Sequence, residues 1–309
     1  MVMTIDQRLI QKSSPAPSPT ATNITMSNSV RRILAASEPA SSSVFVVFGA
    51  GPGNIGHALA SRLLSNHEGS VVHLVGRSAD KLSELRDQLS ASLSLSLSLS
   101  VSPSEGSSGD HHDRIQTAVI DAVNDPKAVD EFFSKRLDRV TGVANCIGSV
   151  ILKPAHSTTD AEWRSTMDTN ASSAFHVLRA ASKKMMRGEG GSIALCASAV
   201  ALHGVQNHEA IAAAKGAVAA MAKSAASTYA GKNVRVNAVA PGLIETPMTS
   251  KITGNEAARR ASEAMHALKR IGRPEHVAAA LEFFLDPRND FVTGQVLGVC
   301  GGLSSVRSG

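Results

Sequence analysis

A glycine-rich loop separates the first strand-like segment of the chain from the first helical one. The run VFVVFG (44–49) is short and apolar, and a helical stretch begins at about residue 54. Between them, Gly51, Gly53 and Gly56 fit the pattern G-x-G-x-x-G. Glycines let a backbone approach a pyrophosphate, and the following helix N-terminus offers free N–H groups. The loop therefore predicts a dinucleotide site, and the alternative is a tight turn that binds no ligand.

The residue type found about 20 positions after this loop indicates which dinucleotide fits. A site selective for NAD places an acidic residue there, where the carboxylate binds the ribose hydroxyls. Counting from Gly56, that position holds Gly76, and Arg77 follows it. A guanidinium suits the 2′-phosphate of NADP, so we expect NADP, with NAD as the alternative cofactor. Arg77 as an ordinary surface arginine is the competing interpretation.

Strand-like and helix-like segments alternate along the rest of the chain. The strand-like segments are 44–49, 71–75, 115–120, 142–146, 192–196, 234–239 and about 295–299. Their apolar residues do not alternate with polar ones, which indicates strands buried on both faces. Such alternation predicts an α/β fold, a doubly wound Rossmann-type parallel sheet covered by helices on both sides. We expect a single domain over residues 44–302.

Three segments depart from this pattern. Residues 1–43 are rich in Ser, Thr, Pro and Ala and hold four basic against two acidic residues, which resembles an organelle transit peptide. A disordered extension is the alternative, so the sequence favours a plastid or mitochondrion in the first case and the cytoplasm in the second. The low-complexity Ser/Leu segment 90–113 is interpreted as a surface insertion, and residues 303–309 as a tail.

The composition excludes several classes of protein. Aromatic residues make up only 3% of the chain and the net charge of +5 is scattered, so we expect no nucleic-acid partner. No apolar stretch approaches the ~18 residues of a membrane span, so we expect no membrane partner. Cys146, Cys196 and Cys300 are odd in number and far apart, which argues against a disulfide framework and a metal site. A small-molecule substrate remains.

Several later segments, taken with the glycine loop, resemble the short-chain dehydrogenase/reductase family over about residues 44–302. The run Asn145-Cys146-Ile147-Gly148 resembles the family's Asn-Asn-Ala-Gly, and Pro241-Gly242 with Thr246 resembles its Pro-Gly-x-x-x-Thr. The runs RIGRPEHVAAALEFFLD and VTGQVLGVCGG resemble its closing helix and strand.

The resemblance implies roles for individual residues. Ser198 matches the catalytic serine, Lys215 the lysine of Tyr-x-x-x-Lys, and Asn170 the asparagine that holds a water in the proton relay. Asp121 matches the aspartate that touches adenine. The loop and the resemblance together give this cofactor-binding set: Gly49, Gly51, Gly53, Asn54, Ile55, Gly56, Arg77, Asp121, Asn145, Gly148, Lys215, Pro241, Gly242, Ile244 and Thr246.

Two departures from the family pattern concern the cofactor end. Asn54 takes the place of the middle glycine and Gly49 that of the threonine in the family's Thr-Gly-x-x-x-Gly-x-Gly. Cys300 replaces the usual aspartate before Gly301-Gly302. We expect the loop still to bind a pyrophosphate, with an altered shape.

The third departure is at the catalytic tyrosine, because Ile211 stands four residues before Lys215. Residues four apart share a helix face, where a lysine lowers the pKa of a phenol that then transfers a proton. Isoleucine donates no proton. His208 lies about 4.5 Å from Ile211 in axial rise if the helix has begun there, and it is the candidate substitute acid. The alternative is a helix-entry histidine, with Asn207 capping the first turn.

These residues favour an NADP-dependent oxidoreductase that transfers hydride to a carbonyl or enoyl substrate, thioesters included, with an altered proton donor. The family includes the dienoyl-CoA reductases, which also lack the tyrosine. By resemblance to them, Ser198 or Asn170 of this chain would polarise a conjugated carbonyl of the substrate. The alternative is a protein that binds NADP without turnover, as a sensor or scaffold. The resemblance also implies a homodimer or homotetramer that uses the Ala-rich helix at 210–230.

Overall fold

The computed structural model describes residues 42–100 and 111–306. The predicted leader up to residue 41, the middle of the predicted insertion (101–110) and residues 307–309 lie outside the described residues. Within the described part, the strands form one seven-stranded sheet with the order β3-β2-β1-β4-β5-β6-β7. The strands are β1 Val44–Phe48, β2 Val71–Gly76, β3 Ile115–Val119, β4 Gly142–Asn145, β5 Gly191–Cys196, β6 Val234–Pro241 and β7 Val296–Val299.

Helices connect these strands and cover the sheet. They are α1 Ile55–Asn66, α2 Ala79–Ser100, α3 Pro126–Lys135, α4 Asp160–Met167, α5 Ser173–Met185, α6 Glu209–Tyr229, α7 Ser250–Thr253, α8 Glu256–Met265 and α9 Pro274–Leu285. Every pair of neighbouring strands is parallel. The predicted doubly wound α/β sheet is therefore confirmed.

Both faces of the sheet are buried along its central strands β1, β4, β5 and β6, which explains the apolar run VFVVF in β1. In β1, Val46 and Phe48 belong to one core cluster, whereas Phe45 and Val47 belong to the other. Helices α3, α5 and α6 cover the first cluster, and α1, α2 and α9 cover the second. A strand with a helix layer on each side buries both of its faces, which favours apolar residues along its length.

The strand order creates a crevice at the carboxyl ends of β1 and β4. The chain leaves β1 for β2 and β3 on one side and then crosses to β4 on the other side of β1. The loops after β1 and β4 therefore diverge, and open α/β sheets bind their ligands at such a switch point. We call this place the crevice.

Helix α2 is longer than the sequence indicates. Residues 90–100, which we interpreted as part of a surface insertion, continue the helix to Ser100. The reason lies in the leucines, because Leu82, Leu85, Leu89 and Leu93 are all buried and recur every three or four residues. That spacing places them on one helix face against the sheet, which overrides the strand-like Ser/Leu alternation.

The helical region between β4 and β5 contains an irregular turn. A π-helical turn over Asp168–Ser172 joins α4 to α5 and carries Asn170. Helix α6 begins at Glu209. Among the described helices, none is long and apolar enough to cross a membrane.

Candidate cofactor and active site

The loop after β1 packs directly against the end of β4. Gly49 has a φ of +76°, and a Cβ added there would lie 2.7 Å from the backbone nitrogen of Ile147. Gly56, at the start of α1, would bring a Cβ to 2.9 Å from the Cα of Ala50. Only glycine fits either position without moving the backbone. The loop is thus folded tightly at the crevice, where the sequence predicts a pyrophosphate.

Asn54 explains how the loop holds its shape without the family's middle glycine. Its Oδ1 accepts the backbone N–H of His57 over 3.0 Å, which caps α1. Its Nδ2 donates to the carbonyl oxygen of Gly49 over 2.9 Å. One side chain therefore joins the beginning of the loop to the beginning of the helix.

His57, in the first turn of α1, contacts the glycine loop and is a residue that the sequence analysis missed. The backbone N–H of Gly53 donates to His57 Nδ1 over 3.1 Å, and Gly53 has a φ of +70°. Burial lowers the pKa of His57, against the opposing charge of Glu275, and the neutral ring accepts this bond. The only signal in the sequence is a histidine four residues after a loop glycine.

Arg77 and Asp121 come together beside the crevice, after β2 and β3. The Asp121 carboxylate accepts the backbone N–H groups of Val123 and Asn124 at 3.0 and 3.1 Å. Burial opposes its ionisation, but the hydrogen bonds from Asn124 and Val123 and the charge of Arg77 hold the pKa of Asp121 below its ordinary value. Arg77 is exposed, so its guanidinium is available to an anionic ligand.

Lys215, Asn170 and Gly148 meet at the end of β4. Lys215 is 7% exposed, and its Nζ donates to the carbonyl oxygen of Cys196 over 2.8 Å. A Cβ added at Gly148 would lie 3.1 Å from Asn170 Oδ1 and 3.3 Å from Lys215 Nζ. Burial lowers the pKa of Lys215, because the ammonium loses water that one carbonyl only partly replaces. The three residues thus converge as the resemblance implies.

Asn170 is held rigidly on the π-helical turn. The side chain is fully buried. Its Oδ1 accepts the Ser149 N–H over 3.1 Å. Its Nδ2 donates to Ser149 Oγ over 3.0 Å and to the Thr166 carbonyl over 2.9 Å. Both amide hydrogens are therefore engaged within the protein.

Ser198 and Ile211 stand on the elements that follow β5. Ser198 is half-buried and begins the 3-10 turn Ala199–Ala201, where its Oγ accepts the Val200 N–H over 3.4 Å. Ile211 is 4% exposed in the first turn of α6. Ile211 belongs to neither of the two core clusters described above. It therefore fills the position of the absent phenol without forming part of the main packing.

His208 does not lie on the helix face that it would need to share with Ile211. It precedes α6 as the N-cap residue, with φ −120° and ψ 15°. Its Nδ1–H donates to the carbonyl of Gln206 over 2.7 Å. Asn207 has a φ of +62° and is not the capping residue that the alternative interpretation assumed. The helical-phase argument for His208 as a substitute acid therefore fails.

The end of β6 and the loop after it carry four of the predicted cofactor residues, Pro241, Gly242, Ile244 and Thr246. Pro241 ends β6, and Ile244 forms an isolated parallel bridge with Gly272. Thr246 is buried, and its hydroxyl lies 3.1 Å from Thr249 Oγ1. A Cβ at Gly242 would lie 2.5 Å from His266 Nε2, so that histidine packs directly on the loop. His266 is a second residue that the sequence analysis missed.

Of the described residues, none form a group of three potential metal ligands. The predicted cofactor residues instead lie at or after the ends of β1, β2, β3, β4 and β6, with Lys215 added from α6. This distribution matches the edge where parallel sheets bind dinucleotides.

Comparisons with known proteins agree with this arrangement. Residues 110–304 match a family model described as Enoyl-(Acyl carrier protein) reductase. A 3-oxoacyl-[acyl-carrier-protein] reductase FabG of Thermotoga maritima is 39% identical over 142 residues, which cover 46% of this chain and 57% of that protein. An inactive 2-(S)-hydroxypropyl-CoM dehydrogenase 2 of Xanthobacter autotrophicus is 33% identical over 178 residues, which cover 56% of this chain and 76% of that protein.

The first of these matches spans little more than half the length of the curated relative. The structural likeness extends further. A short-chain type dehydrogenase/reductase from Mycobacterium ulcerans superposes with a TM-score of 0.73 at 30% sequence identity, over 86% of this chain and 91% of that one. Because the family model covers more than half of the chain, the protein belongs to the short-chain dehydrogenase/reductase family.

Proposed function

We propose that this protein is an oxidoreductase that binds NADP and reduces a conjugated enoyl or a carbonyl substrate without a tyrosine proton donor. One observation carries the proposal. Lys215 is a buried ammonium at the crevice, beside Gly148 and Asn170. A buried lysine requires polar partners, and among the described residues Cys196 supplies its single hydrogen-bond acceptor. A nicotinamide ribose would supply the others.

The residues present fit a dinucleotide. The glycine loop leaves no room for a side chain at Gly49 or Gly56, so its backbone is free to approach a pyrophosphate. When bound, NADP supplies the hydride. Arg77 is exposed beside Asp121, and its charge suits a 2′-phosphate, which supports NADP over NAD.

Ser198 is the better candidate for polarising a substrate oxygen. Both Nδ2 hydrogens of Asn170 are already donated, to Ser149 and Thr166. The Ser198 hydroxyl accepts one bond and, within the described part of the chain, donates none. We therefore assign Asn170 to positioning the turn and Ser198 to the hydrogen bond that stabilises negative charge on the substrate oxygen.

Ile211 favours an enoyl substrate over a simple ketone. A ketone that accepts hydride leaves an alkoxide, which needs a proton at oxygen from a nearby acid. An enoyl thioester that accepts hydride at its β-carbon leaves an enolate, whose oxygen is stabilised by a hydrogen bond and whose α-carbon then takes up a proton from solvent. The description of the matching family model, an enoyl reductase, agrees with this choice.

A second candidate function is binding of NADP without turnover, in a sensor or scaffold. Two observations favour it. Ile211 removes the acid, and one relative carries the word inactive in its name. The retention of Ser198 and Lys215 favours the enzyme, because a protein that only binds has less need of groups at the reacting end.

We also infer that the protein forms a homodimer or homotetramer. The exposed side of α6 carries small residues, among them Ala213 and Ala220, which permit close approach of a second helix. Light scattering of the purified chain tests this inference, and a monomeric mass at micromolar concentration contradicts it.

The deciding experiment has two steps. First, NADPH fluorescence is titrated with purified protein, and we expect enhancement with tighter binding than for NADH. Second, NADPH oxidation is followed with ketones, β-ketoacyl thioesters and enoyl thioesters, and we expect turnover with the enoyl class. Binding without oxidation of any substrate supports the second candidate. Binding of neither dinucleotide overturns both.

Two variants assign the residues. Ser198→Ala is expected to lower kcat by about 10²-fold, the usual cost of losing one oxyanion donor. His208→Ala is expected to leave the rate unchanged, because its ring is bonded back to Gln206. A large loss in His208→Ala would restore the histidine as a proton donor.

A further inference from the structure

Cys146 and Cys196 are far apart in the sequence but adjacent in the sheet. Asn145 of β4 pairs with Leu195 of β5, so the next residues on the two strands, Cys146 and Cys196, lie opposite each other. Neighbouring strands are about 4.8 Å apart. That spacing falls within the range of Cα separations, about 4.4–6.8 Å, that disulfides span.

The two thiols also share one face of the sheet. Cys196 belongs to the core cluster on the α1 and α9 side, and Cys146 packs against that same cluster. Ala144 and Ala194, two residues earlier on each strand, belong to it as well, as the alternation of strand side chains requires. Both sulfur atoms therefore point to the same side, where a bond between them is geometrically accessible.

The surroundings favour ionisation of Cys196 over that of Cys146. A hydrogen bond from Cys146 and the nearby charge of Lys215 lower the pKa of Cys196, although burial opposes this. The same hydrogen bond, together with burial, raises the pKa of Cys146. Thiols that gain thiolate character beside a cation react faster with oxidants.

The function proposed above uses neither sulfur atom. Lys215 contacts the backbone carbonyl of Cys196, and the thiol of Cys196 takes no part in that bond. Cys300 differs, because its Sγ lies 3.2 Å from Ser304 Oγ and accepts the Ser304 N–H over 3.5 Å at the end of β7. The pair is therefore unassigned, and Cys300 is a natural control.

We propose that Cys146 and Cys196 form a redox-modification site, at which hydrogen peroxide converts the two thiols into an intramolecular disulfide. The Cys196 thiolate attacks the peroxide, an S–O bond forms, the O–O bond breaks, and the leaving hydroxide takes a proton to become water. The Cys146 sulfur then attacks the sulfenic acid, an S–S bond forms, the S–O bond breaks, and the thiol proton leaves in a second water. Each sulfur loses one electron, and the peroxide gains two.

Both cysteines contact residues that line the crevice, so oxidation of the pair is expected to alter ligand binding there. A Cβ at Gly49 would lie 2.8 Å from the carbonyl carbon of Cys146, so the glycine loop rests on that residue. The Cys196 carbonyl holds Lys215. A disulfide fixes the ends of β4 and β5 to each other, and we expect the oxidised protein to bind NADPH at least several-fold more weakly.

Peptide mapping tests the site directly. Reduced protein is treated with hydrogen peroxide, the remaining thiols are alkylated, and a non-reduced digest is analysed by mass spectrometry. We expect one cross-linked peptide pair joining Cys146 to Cys196, lighter by two hydrogen atoms and separated by dithiothreitol. Alkylation of both thiols after peroxide treatment overturns the proposal, as does oxidation of each to a separate acid.

Variants sharpen the test. Cys300→Ser is expected to form the same cross-link, whereas Cys146→Ser and Cys196→Ser are expected to form none. Circular dichroism confirms that each variant is folded, and the wild-type map decides the question even if one is not. The mass measurement does not require NADP binding, so failure of the proposed function leaves it interpretable. A cross-link without a change in NADPH affinity would support the disulfide site but contradict the expectation that oxidation weakens NADPH binding at the crevice.

Discussion

The Lys215 ammonium donates a hydrogen bond to the backbone carbonyl of Cys196, with 2.8 Å between Nζ and the oxygen. An ammonium has three donor hydrogens, so two remain for other partners. The acceptor is a main-chain atom at the end of β5, so the position of the lysine ammonium is set by the sheet. A helix residue is thereby fixed relative to the glycine loop, which lies at the end of β1 two strands away.

Replacing Lys215 tests this relationship. Lys215→Met keeps the length of the side chain but removes its charge and hydrogen bonds. Hydrogen bonds of charged groups contribute about 1.5–3 kcal/mol. We therefore expect the Kd for NADPH, measured by fluorescence titration, to rise by roughly 10- to 100-fold. Lys223→Met, an exposed position on the same helix, is the matched control. Equal affinities in the two variants would contradict the assignment of Lys215.

Restoring the family's phenol tests the role of Ile211. Because Ile211 lies outside both core clusters, Ile211→Tyr is expected to fold. A phenol four residues before Lys215 should provide general acid catalysis, which contributes on the order of 10²-fold or more. We expect ketone reduction to rise by that factor. Ile211→Phe has the same ring without a hydroxyl and is expected to show no gain. If both variants behave alike, proton donation at this position does not limit the reaction.

Arg77 is expected to set the choice of dinucleotide. Arg77→Leu removes the exposed guanidinium beside Asp121, and we expect the affinity for NADPH to fall about tenfold, equivalent to about 1.4 kcal/mol. The affinity for NADH should stay the same, because NADH has no 2′-phosphate. Lys81→Leu, on the exposed face of α2, controls for general loss of positive charge. A parallel loss for both dinucleotides would remove Arg77 from the discrimination.

Two glycines are expected to respond to alanine in opposite directions. A Cβ at Gly216, inside α6, meets nothing within 4 Å, so Gly216→Ala should raise the free energy of unfolding by about 0.5–1 kcal/mol through helix propensity. Gly49→Ala must adopt a φ of +76° and approach the Ile147 nitrogen to 2.7 Å. We expect its free energy of unfolding to fall by about 1–3 kcal/mol. Urea denaturation measures both, and a stable Gly49→Ala variant would show that the loop is free to move.

The Lys153–Glu162 pair predicts a pH dependence of stability. Lys153 Nζ lies 2.6 Å from the Glu162 carboxylate, and this bond, with that from the Thr159 N–H, lowers the pKa of Glu162 to about 2 from 4.5. The folded protein therefore binds this proton less readily than the unfolded chain does. The added stability is complete above pH 4.5 and disappears as the pH falls through about 2.

The variant Glu162→Gln isolates this contribution. We expect its Tm to lie below that of the wild type at neutral pH, with a difference that narrows as the pH falls from 4.5 toward 2. Circular dichroism follows both melts across this range. A constant difference would mean that the carboxylate charge plays no part.

The sequence predicted the sheet well because its central strands are buried on both faces. Continuous apolar runs such as VFVVF have no competing helical interpretation when turn residues bound them closely. The end of helix α2 was harder to predict, because its Ser and Leu residues alternate as they would in a strand. Only the buried spacing of Leu85, Leu89 and Leu93 shows that the segment is helical, and burial is a property of the folded chain.

Some residues of the candidate site could likewise be predicted from the sequence, and others could not. Lys215, Asn170 and Gly148 were found from their resemblance to family motifs, and the fold brings them together. His57 and His266 were missed, because each acts on a neighbouring loop through a backbone contact that no motif encodes. The proximity of Cys146 and Cys196 depends on strand register, which requires knowing which strands are neighbours.

The π-helical turn at Asp168–Ser172 has a consequence for how the chain tolerates change in length. Such a turn is an α-helix that has taken in one surplus residue. Deleting a single residue there would return α4 and α5 to one continuous helix and rotate everything before the deletion by about 100°. Asn170 would then turn away from Ser149 and Thr166. Point substitutions on the outer surface of this turn should be harmless, whereas a one-codon deletion should disable the protein.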